Sequence, residues 1–231
     1  MIIGLHTCNR LEFTKKTVES LIKYNPDVLD YQWIVVDDNS NQDTVDYLQE
    51  LETHVNMDLI LIKDHRAGIT IGMTKMMEQA YEYHRANILY LQNDWETTRK
   101  IDFEAIDSFM LNTDVGHIRT IIDKGSEHYH RYASKVNLAT RQIIKWKAPF
   151  GIGAETVVGG NWHYSDIPCF ISVDLAVCLF EPVNDPGVDS GEGVRVYNAE
   201  VFSKASYLLM NQPFWNLDWS KKYQTPGGRK K

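Results

Sequence analysis

An α/β fold, with a mostly parallel central sheet and helices on both faces, is what this 231-residue sequence predicts. Three observations carry it. Apolar, β-branched runs alternate with stretches of helical period through the first hundred residues. The runs are apolar at nearly every position, not every second one, which suits strands buried on both faces rather than a sheet with one wet side. Polar residues also follow each run, at 6–10, 37–41, 64–68 and 92–96.

The elements follow in order. Residues 2–6 form a short apolar run suited to a buried strand. Residues 11–24 place Thr14, Val18, Leu21 and Ile22 on one helical face, and Asn25-Pro26 stops that helix. Trp33-Ile34-Val35-Val36 is a second strand, closed by the polar turn Asp37-Asp38-Asn39-Ser40-Asn41 and followed by a helix over 44–52. Leu59-Ile60-Leu61-Ile62 is a third strand, 70–85 a long helix, and Ile88-Leu89-Tyr90-Leu91 a fourth strand. Beyond residue 100 the pattern is less regular. A helix over 103–111 and strands over 117–122, 141–146 and 167–180 are expected, with Gly- and Pro-rich loops between. Residues 194–210 read as a late helix with Ser190 as its N-cap. The expected organisation is one domain over 1–226, with a basic tail, Gly227-Gly228-Arg229-Lys230-Lys231, after it.

Composition narrows the function. Hydrophobic residues at 43% and charged residues at 24% allow a full core. A net charge of −7 lacks the positive surplus needed to displace counterions, so nucleic-acid binding is not expected. Cys8, Cys169 and Cys178 have no metal-type spacing and read as reduced thiols of a cytoplasmic protein. No basic segment precedes an apolar one at the N-terminus, so no secretory leader is expected, and no run is long enough to span a bilayer. The three tail charges supply only ~1 kcal/mol each at an anionic surface, so contact with a membrane would be peripheral at most. No Gly-rich dinucleotide loop follows the first strand, and no Gly-x-Ser-x-Gly elbow occurs.

In parallel sheets ligands sit beyond the carboxyl ends of the strands, so the polar clusters there are the candidate site. Asp37 and Asp38 end the second strand, where carboxylates can accept from a base N–H or ribose hydroxyls, or can cap the following turn and helix. Asp94 ends the fourth strand, where an Asp suits a hard divalent cation shared with phosphate, or a turn.

The ordered set of these motifs resembles the family 2 glycosyltransferases, which have the GT-A fold with a Rossmann-like nucleotide-binding half. His6-Thr7-Cys8-Asn9-Arg10 resembles the family's Thr/Ser-Tyr-Asn-Arg loop, Val36-Asp37-Asp38-Asn39-Ser40 its Val-Asp-Asp-x-Ser motif, and Arg66-Ala67-Gly68 its Asn-x-Gly segment. Leu91-Gln92-Asn93-Asp94-Trp95-Glu96 is similar to the Leu-Glu-Asp-Asp-Trp form of the metal-binding region. The resemblance covers residues 1–100 and implies a nucleotide-sugar-binding half there, with 101–226 supplying the acceptor cleft and the base. It implies that Asp38, with Asp37, holds base and ribose, and that Thr7, Asn9 and Arg10 line the same pocket. Arg66, Gly68 and Lys75 join the nucleotide-sugar contacts, and Asp94 ligates Mn²⁺ or Mg²⁺ on the donor diphosphate. The implied reaction moves a sugar from a nucleoside-diphosphate sugar to a hydroxyl of a glycan, lipid-linked or other acceptor, with inversion. Glu192 would be the general base, with Asp189 the second candidate.

Departures from the pattern keep alternatives open. Gln92 and Asn93 stand where the family has at least one more acid, Cys8 replaces an aromatic, and Met73-Thr74 replaces a nucleotide-contacting Arg. A non-catalytic nucleotide-sugar or glycan-binding module that kept the fold is therefore the rival reading. His128 and His130 lie two apart without a third ligand and read as surface or core residues, His163 as a loop residue before a phosphate or acceptor-sugar contact, and Trp95, Trp162, Trp215 and Trp219 as core before sugar platforms.

Overall fold

The computed structural model describes residues 1–63, 67–83, 87–112, 115–120, 142–147, 153–158, 168–173, 205–209 and 214–216. The first hundred residues give β1 (Ile2–Thr7), α1 (Leu11–Tyr24), a 3-10 turn (Pro26–Asp30), β2 (Gln32–Asp38), α2 (Gln42–Glu52), β3 (Met57–Ile62), α3 (Gly68–Glu82), β4 (Asn87–Gln92) and β5 (Trp95–Thr97). Then come α4 (Phe103–Leu111), β6 (Val115–Thr120), β7 (Gln142–Lys147), β8 (Gly153–Val158), β9 (Cys169–Ser172), β10 (Ala205–Leu209) and β11 (Phe214–Asn216).

Among the described residues nine strands make one sheet in the order β3-β2-β1-β4-β9-β6-β10-β8-β7. The first four are mutually parallel. β9 opposes both β4 and β6, β6 and β10 are parallel, β8 opposes β10, and β7 opposes β8. Only β9 and β8 therefore run against the rest. β5 and β11 pair as a separate antiparallel ribbon.

Burial explains the apolar runs. Successive residues of a strand face opposite sides. Ile3, Leu5, Trp33, Val35, Leu89 and Leu91 pack with α1, α2 and α4 residues such as Val18, Leu21, Leu48 and Phe103. Ile2, Ile34, Val36, Ile88 and Tyr90 pack with Met73, Met76, Met77 and Ala80 of α3 on the other face. Each such side chain contributes about 1.5–3 kcal/mol by leaving water. That is why continuous apolar strands, not alternating ones, are needed.

One expectation beyond residue 100 is corrected. Residues 205–209, expected inside a helix, form strand β10 between β6 and β8. A short apolar run such as Tyr207-Leu208-Leu209 suits a buried strand as well as a helix, and pairing on both edges decides it. Within the strand expected over 167–180, Cys169–Ser172 forms β9, residues 174–180 lying outside the described residues, and Trp95 is a 3% exposed core residue. Ser190, Cys178, His128, His130, His163, Trp162 and Trp219 lie outside the described residues.

Candidate functional site

The two acids at the end of β2 do different work, because consecutive residues of a strand face opposite ways. Asp37 turns toward the face of α1 and α2. It accepts from the Thr7 hydroxyl at 2.7 Å, from the Ser40 backbone N–H at 3.0 Å and from the Ser40 hydroxyl. Asp38 turns toward α3. Its two oxygens accept the backbone N–H groups of Ala67 at 2.6 Å and Gly68 at 3.0 Å. α3 has no cap from its own Ala67 side chain, so a carboxylate from a neighbouring strand satisfies the exposed donors and the positive end of the helix dipole. Both acids are almost wholly buried, and the carboxylates brace the loops that rim the sheet.

The loop after β1 is held in an unusual backbone. Asn9 and Arg10 have φ of 53° and 61°, and Asn39 in the facing loop has 57°. Asn tolerates the left-handed region through its short polar side chain; Arg does so at a cost of order 1 kcal/mol or more. Such a conformation persists only where the surroundings impose it. Here Asn9 is tied three ways. Its N–H donates to Ser40 Oγ at 2.6 Å, its side-chain oxygen accepts from Asn41 N–H at 2.8 Å, and its carbonyl accepts from Asn93 Nδ2 at 2.8 Å. The ends of β1, β2 and β4 are thereby laced into one rim.

At the end of β4, the Asn93 side chain points inward. Its amide donates to Asn9 O and also to Thr14 Oγ1 at 3.1 Å, and its own N–H donates to His6 O. Gln92 donates to the Tyr90 hydroxyl. Asp94 lies 3.9 Å from an Arg10 guanidinium nitrogen, and the same guanidinium sits 5.2 Å from the centre of the Phe13 ring. Lys16 pairs with Glu96 at 3.0 Å. Among the described residues no three His, Cys, Asp or Glu come together as a metal cage. Asp94 is the residue of the β4 end that the sequence singles out for a cation.

A cavity of about 210 Å³ opens beside the rim, lined among others by Asp37, Asn39, Ser40, Gln42, Ile62 and Lys63. It is smaller than the ~300 Å³ that a whole drug-sized ligand needs. Behind the rim, His6 is buried and, among the described residues, its Nε2 has no hydrogen-bond partner. Burial holds this imidazole below its ordinary value, against the pull of Asp38 and then Asp37 in the other direction. The ring rests on Gly72 of α3.

Of the residues expected at the site, Thr7, Asn9, Arg10, Asp37 and Asp94 meet along this rim, directly or through Ser40 and Asn93. Asp38 and Gly68 meet on the α3 side. Lys75 is exposed on α3, seven residues on from Gly68 and so about 10 Å along the helix. Arg66, Asp189 and Glu192 lie outside the described residues. Ser40 and Asn93 lie in the polar strand-end segments 37–41 and 92–96 that the sequence singles out, while Thr14 lies outside them. Ser40 was legible as the last residue of a Val-Asp-Asp-x-Ser string, but the inward turn of Asn93 has no signal in the sequence.

Comparison with known proteins places this geometry. The family Glycosyl transferase family 2 matches residues 3–158, more than half of the chain. The structure is similar to that of S. aureus TarS 1-349, with a TM-score of 0.58 at 11% identity over 93% of this chain and 59% of that one. The same fragment solved with UDP-GlcNAc gives 0.56 at 11% identity, covering 93% and 57%. GalNAc-T7, solved with UDP, GalNAc and Mn²⁺, gives 0.55 at 11% identity, covering 93% and 43%. The chain spans less than two thirds of these structures, and at such identity the likeness is one of fold, the GT-A fold. No curated protein sequence matches the chain significantly. With the family's own match over residues 3–158 and a parallel β3-β2-β1-β4 block carrying its motifs at the strand ends, the chain belongs to glycosyl transferase family 2.

Proposed function

We propose that this chain binds a nucleoside-diphosphate sugar across the carboxyl ends of β1, β2 and β4 and transfers the sugar to an acceptor hydroxyl with inversion. One observation carries the reading. Three loops that are remote in sequence are laced through Asn9 into a single rim, at the edge of a parallel sheet where ligands bind. Left-handed backbone at Asn9, Arg10 and Asn39, costly at Arg10, supports a rim built for contact as well as for stability.

In this reading the base and ribose lie against Thr7, Asn9 and the β2 end. A carboxylate oxygen has two acceptor sites, so Asp37 and Asp38 keep capacity for a base N–H or ribose hydroxyl while bracing their loops. Arg66, Gly68 and Lys75 complete the nucleotide-sugar contacts from the α3 side. Asp94 would hold Mn²⁺ or Mg²⁺ carried on the diphosphate. That cation, when bound, supplies Lewis-acid stabilisation of the departing nucleoside diphosphate. The relatives solved with UDP-GlcNAc, and with UDP and Mn²⁺, make UDP-sugars the first donors to try. Glu192, with Asp189 as the alternative, takes the acceptor proton as its oxygen attacks the anomeric carbon. The acceptor is a glycan, a lipid-linked sugar or another hydroxyl compound.

A screen of UDP-, GDP- and other nucleotide sugars, reading free nucleoside diphosphate, tests this. Release with at least one donor, cut about a hundredfold or more in Glu192→Ala, is expected, since a general base contributes 10²–10⁴-fold. The binding-module reading draws on Asn93, whose amide is spent inside the rim where the family carries an acid. Donor binding with no release from any donor would favour it.

A further inference from the structure

The charge that faces the donor's diphosphate can be named more closely, on the reading that such a donor binds here. Asp94 already faces a cation of the chain's own: the Arg10 guanidinium, 3.9 Å away. That distance is ion-pair range but longer than a hydrogen bond, so the two charges are matched without a direct N–H···O link between these atoms. The guanidinium lies over the Phe13 ring, which is itself nearly buried, while the Arg10 side chain is 47% exposed. It is therefore packed on one face and partly exposed to solvent.

The backbone beneath it is fixed as well. Arg10 is the N-cap residue of α1 in a left-handed conformation, and its carbonyl accepts from Phe13 and Thr14 N–H. The preceding carbonyl is held by Asn93. Arg10 is thus displayed by strain and lacing that a solvated surface residue would not need. A planar guanidinium is the side chain best matched to phosphate oxygens. At the same strand end Asn93 is turned inward as a donor, and among the described residues no cluster of acids gathers a metal.

We propose that Arg10 is the resident positive charge of the diphosphate subsite. Asp94 sets its position, and it holds the donor's phosphates whether or not a divalent cation accompanies them. A cation then adds to the binding instead of enabling it.

Calorimetric titration with UDP and with GDP, in EDTA and in Mn²⁺, tests this on the full chain and on Arg10→Gln and Arg10→Lys. The expected result is an affinity in EDTA within about threefold of that in Mn²⁺. Arg10→Gln should weaken binding in EDTA about tenfold or more, the worth of one charge-assisted contact, and Arg10→Lys should restore part of the loss. Binding that appears only with Mn²⁺ would overturn the proposal and leave the donor reading standing. Binding in EDTA that Arg10→Gln does not weaken would overturn it too. If neither nucleotide binds under either condition, the donor reading fails and this proposal falls with it.

Discussion

Asn93 ties the β4 end into the rim. Its amide gives one hydrogen to a carbonyl and one to a hydroxyl, linking the β4 end to the β1 loop and to α1. A carboxylate cannot donate, and it would face the Asn9 carbonyl at about the 2.8 Å now spanned by the amide. Asn93→Asp is therefore expected to lower stability by about 1–3 kcal/mol, the cost of unpairing buried polar groups, without creating Mn²⁺ affinity. Urea unfolding and a Mn²⁺ titration check the two halves of that statement.

His6 gives the residue scale a pH signature. Its folded-state value is held down by burial, while the unfolded chain titrates near 6.5. As pH falls through 6.5 the unfolded chain takes a proton that folded His6 refuses. Its contribution to stability is thus whole above 6.5 and lost below it. The drop in urea midpoint from pH 7.5 to pH 5.5 should be smaller in His6→Gln than in the parent chain. An equal drop in both would mean that His6 does not govern that window.

At the scale of elements, α3 joins the core to the rim. Its start is held by Asp38, and its flank meets β1 where Gly72 touches the His6 ring. A Cβ at Gly72 would fall 2.4 Å from His6 Nε2 and 2.6 Å from Cδ2, and His6 sits in a central strand that cannot retreat. Gly72→Ala should cost about 1–3 kcal/mol by overpacking, visible as a lower thermal midpoint, and should loosen the helix start under Asp38.

Element by element, legibility followed burial. The buried parallel strands and α1, α2 and α4 were plain in the sequence, because period and apolar content agreed there. α3 runs Gly68–Glu82 where 70–85 was expected; Asp38 draws its start forward to residue 68. Periodicity alone places Ala205–Leu209 in a helix, since the segment is short and its identity as β10 comes from β6 and β8, which are remote in sequence. β5 and β11 are three residues each and too brief for any period to register. At the site, the motif strings pointed to Asp37, Asp38 and Asp94. They did not show that Asp37 and Asp38 part to opposite faces, which follows from strand alternation, or that Asn93 turns inward.

For the molecule as a whole, the sheet sets the function. Four parallel strands place three loop-bearing ends on one edge, and strands from the second half continue the same sheet beyond β4. Among the described residues no helix is long and apolar enough to cross a membrane. On the proposed function, a nucleoside diphosphate binds at the laced rim formed by the ends of β1, β2 and β4. Amide hydrogen exchange with and without saturating UDP or GDP tests it most directly. Slower exchange confined to residues 7–10, 39–41, 67–69 and 93–94 is the predicted result. Protection that falls elsewhere on the chain, with these segments unchanged, would contradict it.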